Sequence, residues 1–136
     1  MKFARDLHCL IVEDDKIIQF MTARILTEMN CSVEVVGTGN DAIKKYKMNK
    51  YDFILMDLGL PDLDGRRVTK KIRTIEQNNN KHFHPTPIIA YTMESEEVKD
   101  SCLECGIDIY LTKPAPPQVL YETINHIFTI KSQAWR

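Results

Sequence analysis

The sequence predicts an α/β fold, doubly wound, in which five parallel strands form one sheet with helices on both faces. Two observations carry this. Short apolar runs alternate five times with amphipathic stretches, as repeated strand–helix units do. The third and fourth runs are apolar enough for central parallel strands covered on both faces.

The first strand is expected at 7–12, and the helix after it shows Ile17, Met21, Ile25 and Met29 at four-residue spacing, one apolar face. The second strand, 32–36, leads into a weaker helical pattern at Ala42, Ile43 and Tyr46. The third, 52–56, is followed by Val68, Ile72 and Ile75 on one helical face. The fourth, 88–91, precedes Val98 and Cys102, and the fifth, 109–112, precedes Val119, Leu120, Ile124, Ile127 and Phe128. The first, third and fourth strands are expected in the middle. Between them, 76–87 reads EQNNNKHFHPTP, polar and without apolar periodicity, and is expected to be a long exposed loop.

A chain of 136 residues, 43% hydrophobic and 27% charged, suits a single domain over 1–136 around one core, with no output domain expected. No apolar run approaches the roughly 20 residues that cross a bilayer, and the first residues do not resemble a signal peptide, so a soluble cytoplasmic protein is expected. A net charge of −1, with neither sign gathered into a tail, gives no reason to expect nucleic acid binding. Cys9, Cys31, Cys102 and Cys105 read as reduced thiols. The last two form a CxxC late in a helix, where packing is a better reading than redox chemistry. His82 and His84 form an HxH without further ligands nearby in sequence, which reads as a solvated loop.

Right-handed crossovers gather the loops that follow each strand along the carboxyl edge of such a sheet. Those positions hold Glu13, Asp14 and Asp15, then Asp57, Thr92 and Lys113. Crowded carboxylates repel one another unless a cation neutralises them, and hard oxygen ligands suit Mg²⁺ or Mn²⁺. A carboxylate can itself attack phosphorus when metal and lysine neutralise the transferring group, which gives Asp57 a nucleophilic role, with Thr92 and Lys113 holding phosphoryl oxygens. Asp15 reads instead as the cap of the first helix.

The stretches LIVEDD at 10–15, MDLGLPDLDG at 56–65, Thr92 at a strand end, and YLTKP at 110–114 together resemble the CheY-like receiver domain of bacterial response regulators, over 7–128. The resemblance implies a flavodoxin-like sheet in the order 2-1-3-4-5. It implies phosphorylation of Asp57, Mg²⁺ (or Mn²⁺) held by Asp14, Asp57 and the Gly59 carbonyl, and Glu13 acting through a water. Thr92 and Tyr110 become a switch pair, the Tyr110 ring turning in from solvent, and Lys113 pairs with the phosphoryl group. Pro61 and Gly65 shape the loop below the site, and the Lys113–Pro114 peptide is expected cis. The implied donor is a sensor histidine kinase or histidine phosphotransfer protein, and output passes to a protein partner through the fourth helix, fifth strand and fifth helix.

Two positions depart from the family pattern. Gly59 leaves one side of the attack line open, and Met93 follows Thr92 where a very small residue is common. Three alternatives are a receiver fragment of a hybrid histidine kinase or longer regulator, a binding module that is never phosphorylated, and a phosphatase with an aspartyl nucleophile. The last lacks a second acid two residues after Asp57, where Gly59 stands. A flavodoxin-like electron carrier is disfavoured because Glu13, Asp14 and Asp15 would repel its phosphate.

Overall fold

The structure, a computed structural model, describes residues 1–79 and 84–134, with the backbone alone for 131–134. Strands β1 (Leu7–Val12), β2 (Cys31–Val36), β3 (Phe53–Met56), β4 (Ile88–Thr92) and β5 (Ile109–Thr112) form one parallel sheet in the order β2-β1-β3-β4-β5. Helices α1 (Lys16–Thr27), α2 (Gly39–Met48), α3 (Gly65–Asn78), α4 (Lys99–Cys105) and α5 (Pro117–Ala134) alternate with them. A short 3₁₀ turn, Glu96–Val98, precedes α4.

The two-residue period of the strands divides the core in two. Leu10, Val12, Ile54, Met56, Ile88 and Ala90 point to one face and pack under α2, α3 and α4. Cys9, Ile11, Phe53, Leu55, Ile89 and Tyr91 point to the other and pack under α1 and α5 with Leu26, Leu120 and Ile124. All four cysteines are free and buried, and burial raises the Cys9, Cys102 and Cys105 thiols above their ordinary range. That disfavours the thiolate that redox chemistry requires.

Helix α1 differs from the expectation. Asp15 caps it, its carboxylate accepting from the Ile17 and Ile18 amides at 2.9 and 3.0 Å. Yet Ile17 and Met21 are 71% and 56% exposed, and the helix buries Thr22 and Leu26 instead. Met29 is buried but lies past the helix end. Apolar residues occur around much of this helix, so four-residue spacing alone picks the wrong face. Val119 on α5 is likewise 37% exposed while Leu120, Ile124 and Ile127 are buried.

The expected loop 76–87 also begins later than its composition suggests. Helix α3 continues to Asn78, and Glu76 is buried. Its carboxylate accepts from the Tyr46 hydroxyl and the Thr86 amide, each at 2.7 Å, and pairs with Arg73 at 2.8 Å. Arg73 also donates to the Gly106 carbonyl and pairs with Asp108 at 3.1 Å. A polar tripeptide thus continues the helix because its charge is satisfied internally. His82 lies outside the described residues, so the HxH reading does too.

Candidate functional site

Glu13, Asp57, Thr92 and Lys113 each directly follow or end a strand, and their main chains extend the sheet. The Glu13 amide donates to the Val36 carbonyl at 3.0 Å, Asp57 to Val12 at 3.0 Å, and Lys113 to Thr92 at 2.8 Å. The ladder therefore fixes these backbones before any side chain is considered. The resulting cleft of about 290 Å³ is lined by Glu13, Asp14, Asp57, Gly59, Thr92 and Lys113 among others.

Carboxylate oxygens of Glu13, Asp14 and Asp57 lie within 4.8 Å of one another. The Lys113 ammonium pairs with Glu13 and stands 3.5 Å from Asp57 Oδ2. Both Glu13 and Lys113 are almost wholly buried, whereas Asp14 is exposed at the mouth. Burial raises the Glu13 carboxyl above its ordinary range, against the lowering influence of Lys113 and of the Asp15 amide, which donates to it at 3.0 Å. Three carboxylates against one ammonium leave a formal charge of −2 when all are ionised. Clustered hard oxygens with that residual charge fit a divalent cation such as Mg²⁺.

The loop after β3 is held by groups that composition does not reveal. Leu58 accepts from the Gly65 amide at 2.9 Å, closing the loop, while Pro61 lies exposed within it. A Cβ on Gly65 would stand 2.2 Å from the Asp57 carbonyl oxygen, so only glycine lets α3 start against the backbone of Asp57. Asp62 accepts from the Gly39 and Asn40 amides at 2.8 and 2.9 Å, capping α2 from a distant loop and holding its own carboxyl below the usual range. A Cβ on Gly59 would meet nothing within 4 Å, so that side of Asp57 is open. Met93 is 74% exposed and lines the cleft beside Thr92 and Glu94.

Thr92 is buried, and its hydroxyl accepts from the Glu94 amide at 3.3 Å. The Tyr110 hydroxyl donates to the carbonyl of the same Glu94. Sequence reasoning named Thr92 and Tyr110 but not Glu94, whose main chain joins them. Tyr110 is already half-buried against the α2–α4 side of the core rather than turned to solvent. The Lys113–Pro114 peptide is cis.

Residues 9–125 match the family model described as the response regulator receiver domain. The chain belongs to this family. It is a receiver of two-component signalling. A hybrid signal transduction histidine kinase I of Dictyostelium discoideum is 36% identical over 121 residues, 85% of this chain but 7% of the kinase. The chain thus spans a small fraction of that curated relative. The receiver domain of the Pseudomonas aeruginosa sensor histidine kinase PA1611, solved with magnesium in its active-site cleft, is 32% identical with a TM-score of 0.78, covering 90% of this chain and 97% of that one. The receiver domain of Saccharomyces cerevisiae Ssk1, solved in complex with the histidine phosphotransfer protein Ypd1, is 33% identical with a TM-score of 0.82, covering 90% of this chain and 89% of that one.

Proposed function

We propose that Asp57 accepts a phosphoryl group from a phosphohistidine on a kinase or phosphotransfer protein, in a reaction that this chain catalyses on itself. The observation that carries this reading is the Lys113 ammonium placed between Asp57 and Glu13 in a cleft of three carboxylates. A divalent cation held by Asp14, Asp57 and the Gly59 carbonyl, with Glu13 acting through a water, would neutralise charge on the transferring group. Asp57 supplies the nucleophilic oxygen; the phosphorus–nitrogen bond of the donor breaks as the phosphorus–oxygen bond forms, and the freed imidazole keeps the electron pair. Lys113 and Thr92 each lie within reach to donate to phosphoryl oxygens. Hydrolysis of the acyl phosphate resets the domain, and the open side at Gly59 leaves water a path. The cytoplasmic side of the cell, where such donors act, is the proposed location; among the described residues no helix is long and apolar enough to cross a membrane.

The test needs no partner. With Mg²⁺ and acetyl phosphate, intact-mass spectrometry should show one added phosphoryl group, and chelation of the metal should prevent it. Uptake unaffected by chelation would exclude the metal-assisted reading.

The donor would approach over α1. Ile17, Phe20 and Met21 are 71%, 68% and 56% exposed, while neighbouring Ile18 lines the Asp57 cleft. Large exposed side chains clustered beside a reactive group mark a docking surface. Phe20→Ala should lower the rate of transfer from a phosphotransfer protein about tenfold or more, roughly 1.4 kcal/mol at an interface anchor, and leave uptake from acetyl phosphate unchanged. Equal losses with both donors would show a disturbed site instead. Output through α4, β5 and α5 is supported by β5 being an edge strand and by the exposed Leu103 and Val119.

A further inference from the structure

The overall charge of −1 conceals a local asymmetry that appears only once α2 and α3 pack together. Asn40, Ile43, Lys44 and Lys47 recur at the three- and four-residue spacing of a single helical face on α2. Lys70, Lys71, Thr74 and Ile75 answer them from α3, and the two faces enclose a groove of about 690 Å³. The four lysines are exposed, and among the described residues none takes part in an ion pair. Lys45, which points elsewhere on α2, does find a carboxylate, that of Glu34 at 3.7 Å. Among the described residues no acidic side chain lines the groove. The carboxylate of Asp62, near the start of α2, is taken up by the Gly39 and Asn40 amides.

Four like charges around one depression repel one another and lower stability slightly, so their convergence calls for a counter-charge. The floor is apolar. Ile43 and Ile75 are half-buried and pack on the core below. We infer that the α2–α3 groove is a docking site for an acidic amphipathic helix of a partner protein, with an apolar stripe on Ile43 and Ile75 and flanking carboxylates paired with Lys44, Lys47, Lys70 and Lys71.

Charge on both banks with an apolar floor favours this occupant over the alternatives. A nucleic acid backbone gains from ammonium groups but gains nothing from a depression floored by isoleucine. An anionic membrane presents a plane rather than a ridge. A helix laid in a groove supplies both the ridge and the apolar stripe. At 10 residues, α2 is about 15 Å long and would accommodate roughly three turns of the partner. The groove lies on the α2–α4 side of the sheet and α1 on the other, so this partner and the phosphodonor need not compete for one surface.

The probe is a fluorescein-labelled synthetic helix with leucines at i, i+3, i+4 and i+7 and glutamates on either flank, followed by anisotropy. A scrambled peptide of equal charge, a short single-stranded oligonucleotide and vesicles containing phosphatidylserine serve as competitors. Saturable binding of the patterned peptide is expected, weakened by salt, and reduced about tenfold or more by Lys44→Glu with Lys71→Glu. Ile43→Ser should weaken it without changing its salt dependence. Unchanged uptake of phosphoryl groups from acetyl phosphate shows that these variants fold, and separates this proposal from the reading of Asp57. Absence of saturable binding, equal affinity for the scrambled peptide, or equal affinity of the charge-reversed variant would overturn it. Tighter binding of the oligonucleotide or the vesicles would overturn it as well.

Discussion

Asp57→Asn should take up no phosphoryl group under conditions in which the wild-type protein takes up one. The substitution keeps volume and shape but replaces the nucleophilic carboxylate by an amide, which cannot form the acyl phosphate. Its neighbours make the result informative. Glu13 and Asp14 each carry a carboxylate oxygen within 4.8 Å of one of Asp57, so a misassigned acceptor would leave uptake intact. Equal incorporation by Asp57→Asn would place the acceptor on one of them. The variant should also fold, and melt no lower than wild type without metal, because one of three crowded carboxylates has been neutralised. A lower melting temperature would mean that the Lys113 pairing at 3.5 Å stabilises Asp57 more than the other carboxylates destabilise it. Label lost to hydroxylamine identifies the acyl linkage in the wild type.

Most strand positions and the residues at their ends were legible because β1, β3 and β5 are short, mostly apolar runs followed at once by a charged residue, and β4 is one that ends in Thr92. Leu7–Val12 and Ile109–Thr112 match the expectation residue for residue. Asp57, Thr92 and Lys113 follow from that regularity, since parallel strands with right-handed crossovers bring their carboxyl ends to one edge. The helices were less legible. Helix α1 carries Ile17, Phe20 and Met21 outward and Leu26 inward, and periodicity cannot tell a core face from an exposed one when both are apolar.

Long-range polar contacts were the least legible. Asp62 meets the start of α2, 22 and 23 residues away, and Glu76 meets Tyr46 at a separation of 30. Neither has a local pattern. The first depends on how the loop after β3 meets α2, and the second on how α2 and α3 pack, as does the convergence of Lys44, Lys47, Lys70 and Lys71 on one groove. Glu94 escaped notice for a different reason. Its contribution to the Thr92–Tyr110 link is its main chain, which any residue type but proline could provide.

That main chain sets up the second expected result. Thr92→Ala should keep Asp57 competent for phosphorylation, at a reduced rate, while removing most of the phosphorylation-dependent NMR shifts around Tyr110. The Thr92 hydroxyl accepts from the Glu94 amide at 3.3 Å, and the Tyr110 hydroxyl donates to the Glu94 carbonyl. A phosphoryl group brings roughly −1.5 to −2 charges at neutral pH and draws hydroxyl donors toward it. If the Thr92 hydroxyl turns to that charge, the Glu94 amide loses its acceptor and the loop that holds Tyr110 is released on one side. Arg66 adds a further link, its guanidinium pairing with Asp64 at 2.5 Å and lying 3.9 Å from the Glu94 carboxylate. The change expected at Tyr110 is therefore an altered hydrogen bond and ring packing rather than a swing in from solvent. Alanine at 92 has no hydroxyl to reorient, so the two states of the Glu94 loop would no longer depend on phosphorylation. Wild-type shifts at Tyr110 in phosphorylated Thr92→Ala would remove Thr92 from the relay. The signal would then pass through backbone movement of the 92–96 loop or through Lys113, whose main chain is bonded to the Thr92 carbonyl at 2.8 Å and whose side chain already stands beside Asp57.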